Sequence, residues 1–177
     1  MFSKKRFILG ALCIFLLGSA FHYLYDLLGG SILAAPFFAV NESIWEHMKL
    51  LSTAAFVWMA ADFFLSEKYL RPRFCAARAV ALPAALLSIP LLYYFIKGAF
   101  GIENVVVDIS LFLVASILYQ YIALRLEGRS AWFLKHNKAS ILTLCFIFLL
   151  FAIFTFLPPH LPLFADPPTG TYGLGLG

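Results

Sequence analysis

Residues 139–157 read ASILTLCFIFLLFAIFTFL, nineteen consecutive positions without a charged side chain. A helix of that length rises about 28 Å, close to the hydrocarbon thickness of a bilayer. Four further apolar runs of similar length occur, and hydrophobic residues make up 63% of the chain against 12% charged. Runs of this kind must be helical, because unsatisfied backbone groups are costly in lipid. The sequence therefore predicts an all-α membrane protein.

The five runs predict a five-helix transmembrane bundle that forms a single domain, residues 1–177. The spans cover about residues 7–28, 48–65, 77–96, 104–124 and 139–157, with an outer flap over 158–177. Residues 29–40 are apolar but too short to cross, and predict a re-entrant or interfacial segment after the first helix. The small residues 18–20 would also fit a signal-peptide cleavage site, but the apolar run continues to Leu28, which favours an uncleaved span.

Lysine and arginine collect at one end of the predicted spans and indicate the orientation. Eleven of the 13 basic residues lie there, leaving Lys49 and Lys97 at the other end. The eleven are Lys4, Lys5, Arg6, Lys68, Arg71, Arg73, Arg78, Arg125, Arg129, Lys135 and Lys138. The positive-inside bias then predicts a cytoplasmic N-terminus and an outer C-terminus. We read the net charge of +4 as orientation and expect no nucleic-acid partner.

Most acidic residues and histidines map to the predicted outer end. They are His22, Asp26, Glu42, Glu46, His47, Glu103, Asp108, His160 and Asp166. The fourth histidine, His136, falls in a basic connection at the inner end. The remaining acids, Asp62, Glu67 and Glu127, are predicted to pair with the basic side chains there. Ionisable groups within or beside membrane spans are candidates for function because their burial is costly.

Imidazole and carboxylate groups together are typical ligands of divalent metals. His22 and Asp26 are four residues apart on the first helix and leave the same face. Asn41 is a suitable N-cap for a second helix that would carry Glu42 and Glu46 on one side. We predict a divalent metal, zinc first, held by His22, Asp26, His47 and His160. Glu42, Glu46 and Asp108 are the predicted catalytic carboxylates, with Glu42 or Glu46 as general base.

The C-terminal segment mixes prolines with bulky apolar residues and predicts a flap folded back over the outer end. It would carry His160 and Asp166 to the cluster, whereas a disordered tail is the alternative. The outer carboxylates could also be plainly solvated, or favour the helix N-termini through the macrodipole.

Residues 41–47 (Asn-Glu-Ser-Ile-Trp-Glu-His) and residues 166–173 (Asp-Pro-Pro-Thr-Gly-Thr-Tyr-Gly) together resemble a family of small bacterial integral membrane proteins of unknown function. The resemblance implies a multi-pass protein of the bacterial plasma membrane and supplies no catalytic assignment. A more distant comparison is with seven-span membrane hydrolases of the alkaline ceramidase type. This chain departs from them in having five spans and no His-x-x-x-His pair, which leaves a chemical analogy.

Three functions compete on this reading. The first is a metal-dependent hydrolase or lipid-modifying enzyme acting on a lipid or membrane-associated substrate at the outer leaflet. The second is a non-enzymatic membrane partner or assembly protein, in which the polar cluster ties helix ends together. The third is a transporter component, which the lack of an internal repeat disfavours. The bilayer is the partner common to all three.

Overall fold

The structure is a computed structural model that describes residues 3–129 and 137–175. Five helices follow one another: α1 (Lys4–Leu27), α2 (Ile44–Leu65), α3 (Phe74–Phe100), α4 (Val105–Glu127) and α5 (Asn137–Phe156). A single turn of 3₁₀-helix, Arg71–Arg73, precedes α3. All five α-helices are long and apolar enough to cross a membrane. The described ranges contain no strand, which confirms an all-helical, multi-pass architecture, while Lys135 and His136 lie outside them.

The helices extend beyond the apolar runs, chiefly at the start of α2 and at both ends of α3. Helix α2 begins at Ile44, four residues before the predicted span, and α3 covers residues 74–100 where 77–96 are the apolar core. Two charged side chains in these extra turns are paired, Glu46 with the buried Lys49 and Lys97 with Glu103 at the surface. Hydropathy alone underestimates the length of such helices, because it treats a paired charge as an unpaired one.

Helix α2 is the central helix of the bundle. More than half of its apolar window is buried (56%), against 22–33% in the other four helices. It contacts all of them, while α1 packs on α4, α4 on α3 and α3 on α5. Two fully buried leucines of α2, Leu50 and Leu51, lie in the core with Leu82 of α3 and Ile14 of α1.

Close approach of α1 to α4 depends on two glycines of α1. A Cβ atom at Gly10 would lie 2.3 Å from the Gln120 side-chain nitrogen, and one at Gly18 would lie 2.2 Å from the Phe112 ring. Small residues at such contacts let helix backbones pack closely where lipid supplies no hydrophobic drive. The two glycines therefore determine which face of α1 meets α4.

A buried ion cluster ties α1 to α4 at the end of the bundle that we call the Arg78 end. Asp62 of α2 pairs with Arg6 and Arg78, each at 2.5 Å. Glu127 of α4 pairs with Arg6 at 3.0 Å and Arg78 at 2.9 Å, and the Ser66 hydroxyl also donates to it. The expected pairing of Asp62 and Glu127 with basic residues is confirmed. Two carboxylates face two guanidinium groups, so no net charge is buried.

The connection between α1 and α2, residues 28–43, folds into turns against the opposite end of the bundle. It starts after Leu27, the last residue of α1. Gly29 and Gly30 follow, both with φ near +68°, a conformation that glycine adopts without steric cost. Phe38 then packs edge-on against Phe21 of α1, and Phe37 packs against Phe148 of α5. The connection therefore lies between α1 and α5.

Candidate functional site

The residues that precede α2 determine where its polar side chains point. Ser43 is the N-cap, with its hydroxyl accepting the Glu46 N–H at 3.3 Å. Asn41 instead accepts the Ser43 N–H at 2.9 Å in a turn before the helix. The predicted N-cap at Asn41 is therefore wrong, and Glu42 lies outside the helix. Glu42 and Glu46 consequently do not share a helix face.

Three of the predicted side chains meet at this end, which we call the His47 end. The Glu42 carboxylate oxygen Oε2 lies 3.2 Å from His22 Nε2 and 4.0 Å from His47 Nε2. The two imidazole rings are 5.4 Å apart between centroids. One ligand atom from each residue lies within 4.8 Å of the other two. We call this group the His22–Glu42–His47 trio.

The backbone of α2 fixes the tautomer of His47. Its Nδ1 lies 2.9 Å from the carbonyl oxygen of Ser43, one helical turn earlier. A carbonyl oxygen only accepts, so Nδ1 donates, and in the neutral ring Nε2 is then the free base. That free nitrogen faces Glu42. A hydrogen bond on the far nitrogen is the usual support of a metal-binding histidine.

The spacing of the trio suits a small divalent cation. Tetrahedral zinc holds nitrogen and oxygen ligands at about 2.0–2.2 Å, which separates neighbouring ligand atoms by about 3.3 Å. The Glu42 oxygen already lies 3.2 Å from His22 Nε2 and needs to move less than about 1 Å relative to His47 Nε2. Two histidines and one glutamate leave the fourth position of a tetrahedron open, as catalytic zinc sites do.

The structure does not bring the other two predicted ligands into the trio. Asp26 is exposed at the end of α1. His160 is exposed too, with its ring packed edge-on against Tyr172 at 4.7 Å. Half of the predicted ligand set therefore converges, together with Glu42, which the sequence suggested as a base. Spacing along one helix could not reveal this, because Glu42 comes from a turn twenty residues away from His22.

Glu46 occupies a buried structural position. Its side chain is 2% exposed, and Oε2 lies 2.5 Å from Lys49 Nζ and accepts the Val40 N–H at 2.9 Å. The Lys49 ammonium also donates to the Ala35 carbonyl at 2.7 Å and to the Thr155 hydroxyl at 2.9 Å. This pair links α2, the α1–α2 connection and α5. The Glu46 carboxylate is buried and held there through Oε2, so we leave it out of the site.

Two cavities meet at the trio. The first, of about 440 Å³, lies between α1 and α4 and is called the α1–α4 cavity. The second, of about 280 Å³, lies between α3, α4 and the tail prolines, and is called the α3–α4 cavity. Glu42, His47 and Asp108 line both. Asp108 is the predicted carboxylate that remains beside the trio without belonging to it.

The α3–α4 cavity has a polar rim. The Glu103 carboxylate accepts from Lys97 Nζ at 2.7 Å and from the Tyr93 hydroxyl at 2.6 Å. These hydrogen bonds, that from Lys97 first, hold the pKa of Glu103 below its ordinary value of 4.5. Asn104 beside it caps α4 by accepting the Val107 N–H.

The C-terminal segment folds back onto the start of α2. Asp166 is 5% exposed, and its carboxylate accepts the Glu42 N–H at 2.9 Å and the Thr169 hydroxyl at 2.5 Å. The Asp166 N–H donates in turn to the Thr171 carbonyl at 2.9 Å. The tail thus reaches the backbone of one trio residue through Asp166. His160 does not follow it.

Two further contacts hold the tail in place. The Asn41 side-chain amide donates to the Gly173 carbonyl oxygen at 2.9 Å. The backbone N–H of Trp45 donates to the Leu163 carbonyl oxygen at 3.0 Å. Gly173 has φ of +55°, and a Cβ there would lie 2.7 Å from the Thr155 carbonyl oxygen, so only glycine fits. The Trp45 ring is buried against Phe164, 4.6 Å between centroids. Residues 41–45 are therefore held in place by these contacts with the C-terminal tail.

Comparison with known proteins yields a family and no activity. No curated protein and no solved structure matches the chain. The expectation of a family of unknown function is supported over nearly the whole length. With residues 1–174 matched, the chain belongs to the family of unknown function DUF6512.

Proposed function

We propose that this protein is a membrane-embedded, zinc-dependent hydrolase whose metal ligands are His22, Glu42 and His47. The observation that carries the proposal is the convergence of their three donor atoms within 4.8 Å. The three residues come from α1, from the turn before α2 and from α2 itself, so the tertiary fold is what assembles them. Their side chains are one-quarter to one-half exposed, which leaves a path for water and substrate.

The chemistry follows from the donor set. Zinc bound by two imidazoles and one carboxylate supplies a water ligand with a pKa of about 7 and polarises a carbonyl group. Asp108 shares both cavity walls with Glu42 and His47 and is the carboxylate that would accept a proton from the attacking water. The Asp166 carboxylate accepts the backbone N–H of Glu42 and thereby keeps Glu42 in position. The supported reaction class is hydrolysis of an ester or amide.

We infer that the trio faces the outside of the cell. The Arg78 end carries the clustered basic residues of the chain, and the positive-inside bias assigns that end to the cytoplasm. The N-terminus is then inside and the C-terminal tail outside, with residues 29–40 as an interfacial or re-entrant segment. The resemblance described above favours the bacterial plasma membrane as the location.

Zinc stoichiometry in the purified protein tests the site directly. Protein in detergent is stripped with a chelator, dialysed against zinc, and analysed for bound metal. We expect about one zinc per chain in the unaltered protein and a large loss of affinity in His47→Ala, since removing even the supporting contacts of a ligand costs 10–100-fold. His160→Ala is the matched control, because its ring packs on Tyr172 and should leave zinc bound.

Activity separates a hydrolase from a structural metal site. Asp108→Asn should retain zinc and lose hydrolysis of a panel of fluorogenic acyl esters and amides in mixed micelles. A folded protein that binds no zinc, or equal zinc loss in His47→Ala and His160→Ala, contradicts the proposed site. Zinc binding without hydrolysis, combined with lower thermal stability in His47→Ala, would instead indicate that the trio only ties helix ends together.

A further inference from the structure

We propose that the α1–α4 cavity binds a single lipid acyl chain, which enters sideways from the bilayer with its scissile linkage at the trio. This inference rests on the proposed function and names its substrate class. The cavity is about 440 Å³, within the usual range of small-molecule sites. One end is polar, with His22, Glu42, His47 and Asp108, and the other is apolar, with Phe15, Leu50 and Phe112.

The cavity extends along α1 into the depth of the membrane. Phe15 and His22 both line it, and seven residues of α-helix separate them by about 10 Å. Phe112 marks the deep end, where its ring contacts Gly18 and lies 6.3 Å from the Phe15 ring. An elongated space with a polar outer end and an apolar deep end matches a lipid chain attached to a polar linkage.

The rim of the cavity faces the lipid rather than the interior of the bundle. Val105 is 66% exposed and Ile109 52% exposed on α4, and Tyr23 is 68% exposed on α1. These apolar positions lie on helices long enough to span the membrane, so the surrounding solvent is hydrocarbon. A chain already dissolved in that solvent needs only to move laterally to fill the space.

Below His22, the wall of the cavity offers no unmet side-chain polar group to a chain. The Ser19 hydroxyl, the one hydroxyl besides Tyr23 in its lining, donates to the Phe15 carbonyl at 2.8 Å within α1. Below His22 the lining is otherwise hydrocarbon or aromatic. The selection of a chain therefore comes from the shape of the cavity and from van der Waals contacts with its wall, because a chain that enters from the bilayer leaves hydrocarbon and not water.

Photo-crosslinking with a diazirine-bearing fatty acid tests the site in the full-length protein. We expect saturable labelling of peptides from α1 and α4, which an unlabelled long-chain fatty acid displaces. Ile109→Trp narrows the rim and should raise the half-saturating probe concentration about tenfold, which corresponds to about 1.4 kcal/mol of lost contacts between the chain and the cavity wall. Val114→Trp is the matched control, since Val114 is equally a lipid-facing residue of α4 but does not line the cavity.

A second variant and a metal-free protein make the result decisive. Ser19→Trp narrows the rim from α1 and should weaken labelling as Ile109→Trp does, so the conclusion does not depend on the folding of one variant. Protein freed of metal by a chelator keeps every side chain of the cavity lining and should be labelled as the untreated protein is. Labelling of an unaltered protein that takes up no zinc when zinc is supplied overturns the proposed function and keeps the chain site. Labelling spread evenly over all helices, or equal effects of Ile109→Trp and Val114→Trp, overturns the chain site.

Discussion

Replacing Lys49 by methionine tests how the buried Glu46–Lys49 pair holds the His47 end together. Lys49 is fully buried and Glu46 is 1% exposed, so the substitution leaves a carboxylate in the interior without its cation. Breaking a buried pair from one side costs about 3–5 kcal/mol. The Ala35 carbonyl also loses its donor, which adds about 1 kcal/mol. We expect Lys49→Met to lose at least about 3 kcal/mol of unfolding free energy.

The double variant E46Q/K49M separates charge from packing. It buries no net charge, and the glutamine can still accept the Val40 N–H, so only the loss of the two Lys49 hydrogen bonds, to the Ala35 carbonyl and to the Thr155 hydroxyl, should remain. We expect it to lie within about 1–2 kcal/mol of the unaltered protein and to be more stable than Lys49→Met alone. Unfolding in mixed micelles with increasing denaturing detergent, followed by tryptophan fluorescence, measures both.

Two results would refute this reasoning. Lys49→Met could unfold at the same detergent fraction as the unaltered protein, which would mean that the pair contributes nothing at this position. Alternatively, E46Q/K49M could be no more stable than Lys49→Met, which would mean that the loss comes from packing and not from an uncompensated carboxylate. Zinc binding adds a further check, because a folded E46Q/K49M protein that binds no zinc would show that Glu46 takes part in the site after all.

Two more predictions concern packing and pH. Gly10→Ala should destabilise the protein by about 1–3 kcal/mol in the same unfolding assay, because the new Cβ would collide with Gln120. Gly98→Ala is the control. Its position is helical and has open space around it, so this substitution should be neutral or stabilising by up to about 1 kcal/mol. Lys97→Met should raise the pKa of the Glu103 carboxyl towards 4.5, measured by carboxyl NMR in micelles. The lowered pKa means that this contact stabilises the fold above pH 4.5 and that its contribution is lost as the pH falls through the lowered value. A Glu103 carboxyl that titrates identically in Lys97→Met would contradict the assignment.

The sequence identified which residues to consider at the site, but not their arrangement. His22, Glu42, His47 and Asp108 were all candidates, since polar groups are scarce in an apolar chain. Their grouping was inaccurate: Asp26 shares the helix spacing of His22 yet is exposed at the end of α1. The rotation of α1 is determined by the close contacts of Gly10 and Gly18 with α4, and no pattern within α1 predicts which neighbour those glycines meet.

The C-terminal tail is a second place where the sequence predicted the residues but not the direction of their side chains. Its prolines and bulky apolar residues predicted a fold-back that would carry Asp166 to the cluster, and Asp166 does reach the turn before α2. His160 was assigned to the cluster along with it, but its ring packs on Tyr172. A short irregular segment has no periodicity from which to predict which of its side chains point inward. That direction depends on the surface beneath it, here Trp45 and the residues around it.

By itself the sequence determined the five spanning helices and the end at which the polar residues collect, because hydropathy and helix length are properties of each segment alone. Only the tertiary structure decided that Glu42 joins His22 and His47 while Glu46 pairs with Lys49. The physical reason is the start of α2 at Ile44, with Ser43 as its cap, which places two carboxylates four residues apart in different environments. Whether a side chain becomes a ligand or a buried ion pair depends on the neighbours that other helices supply.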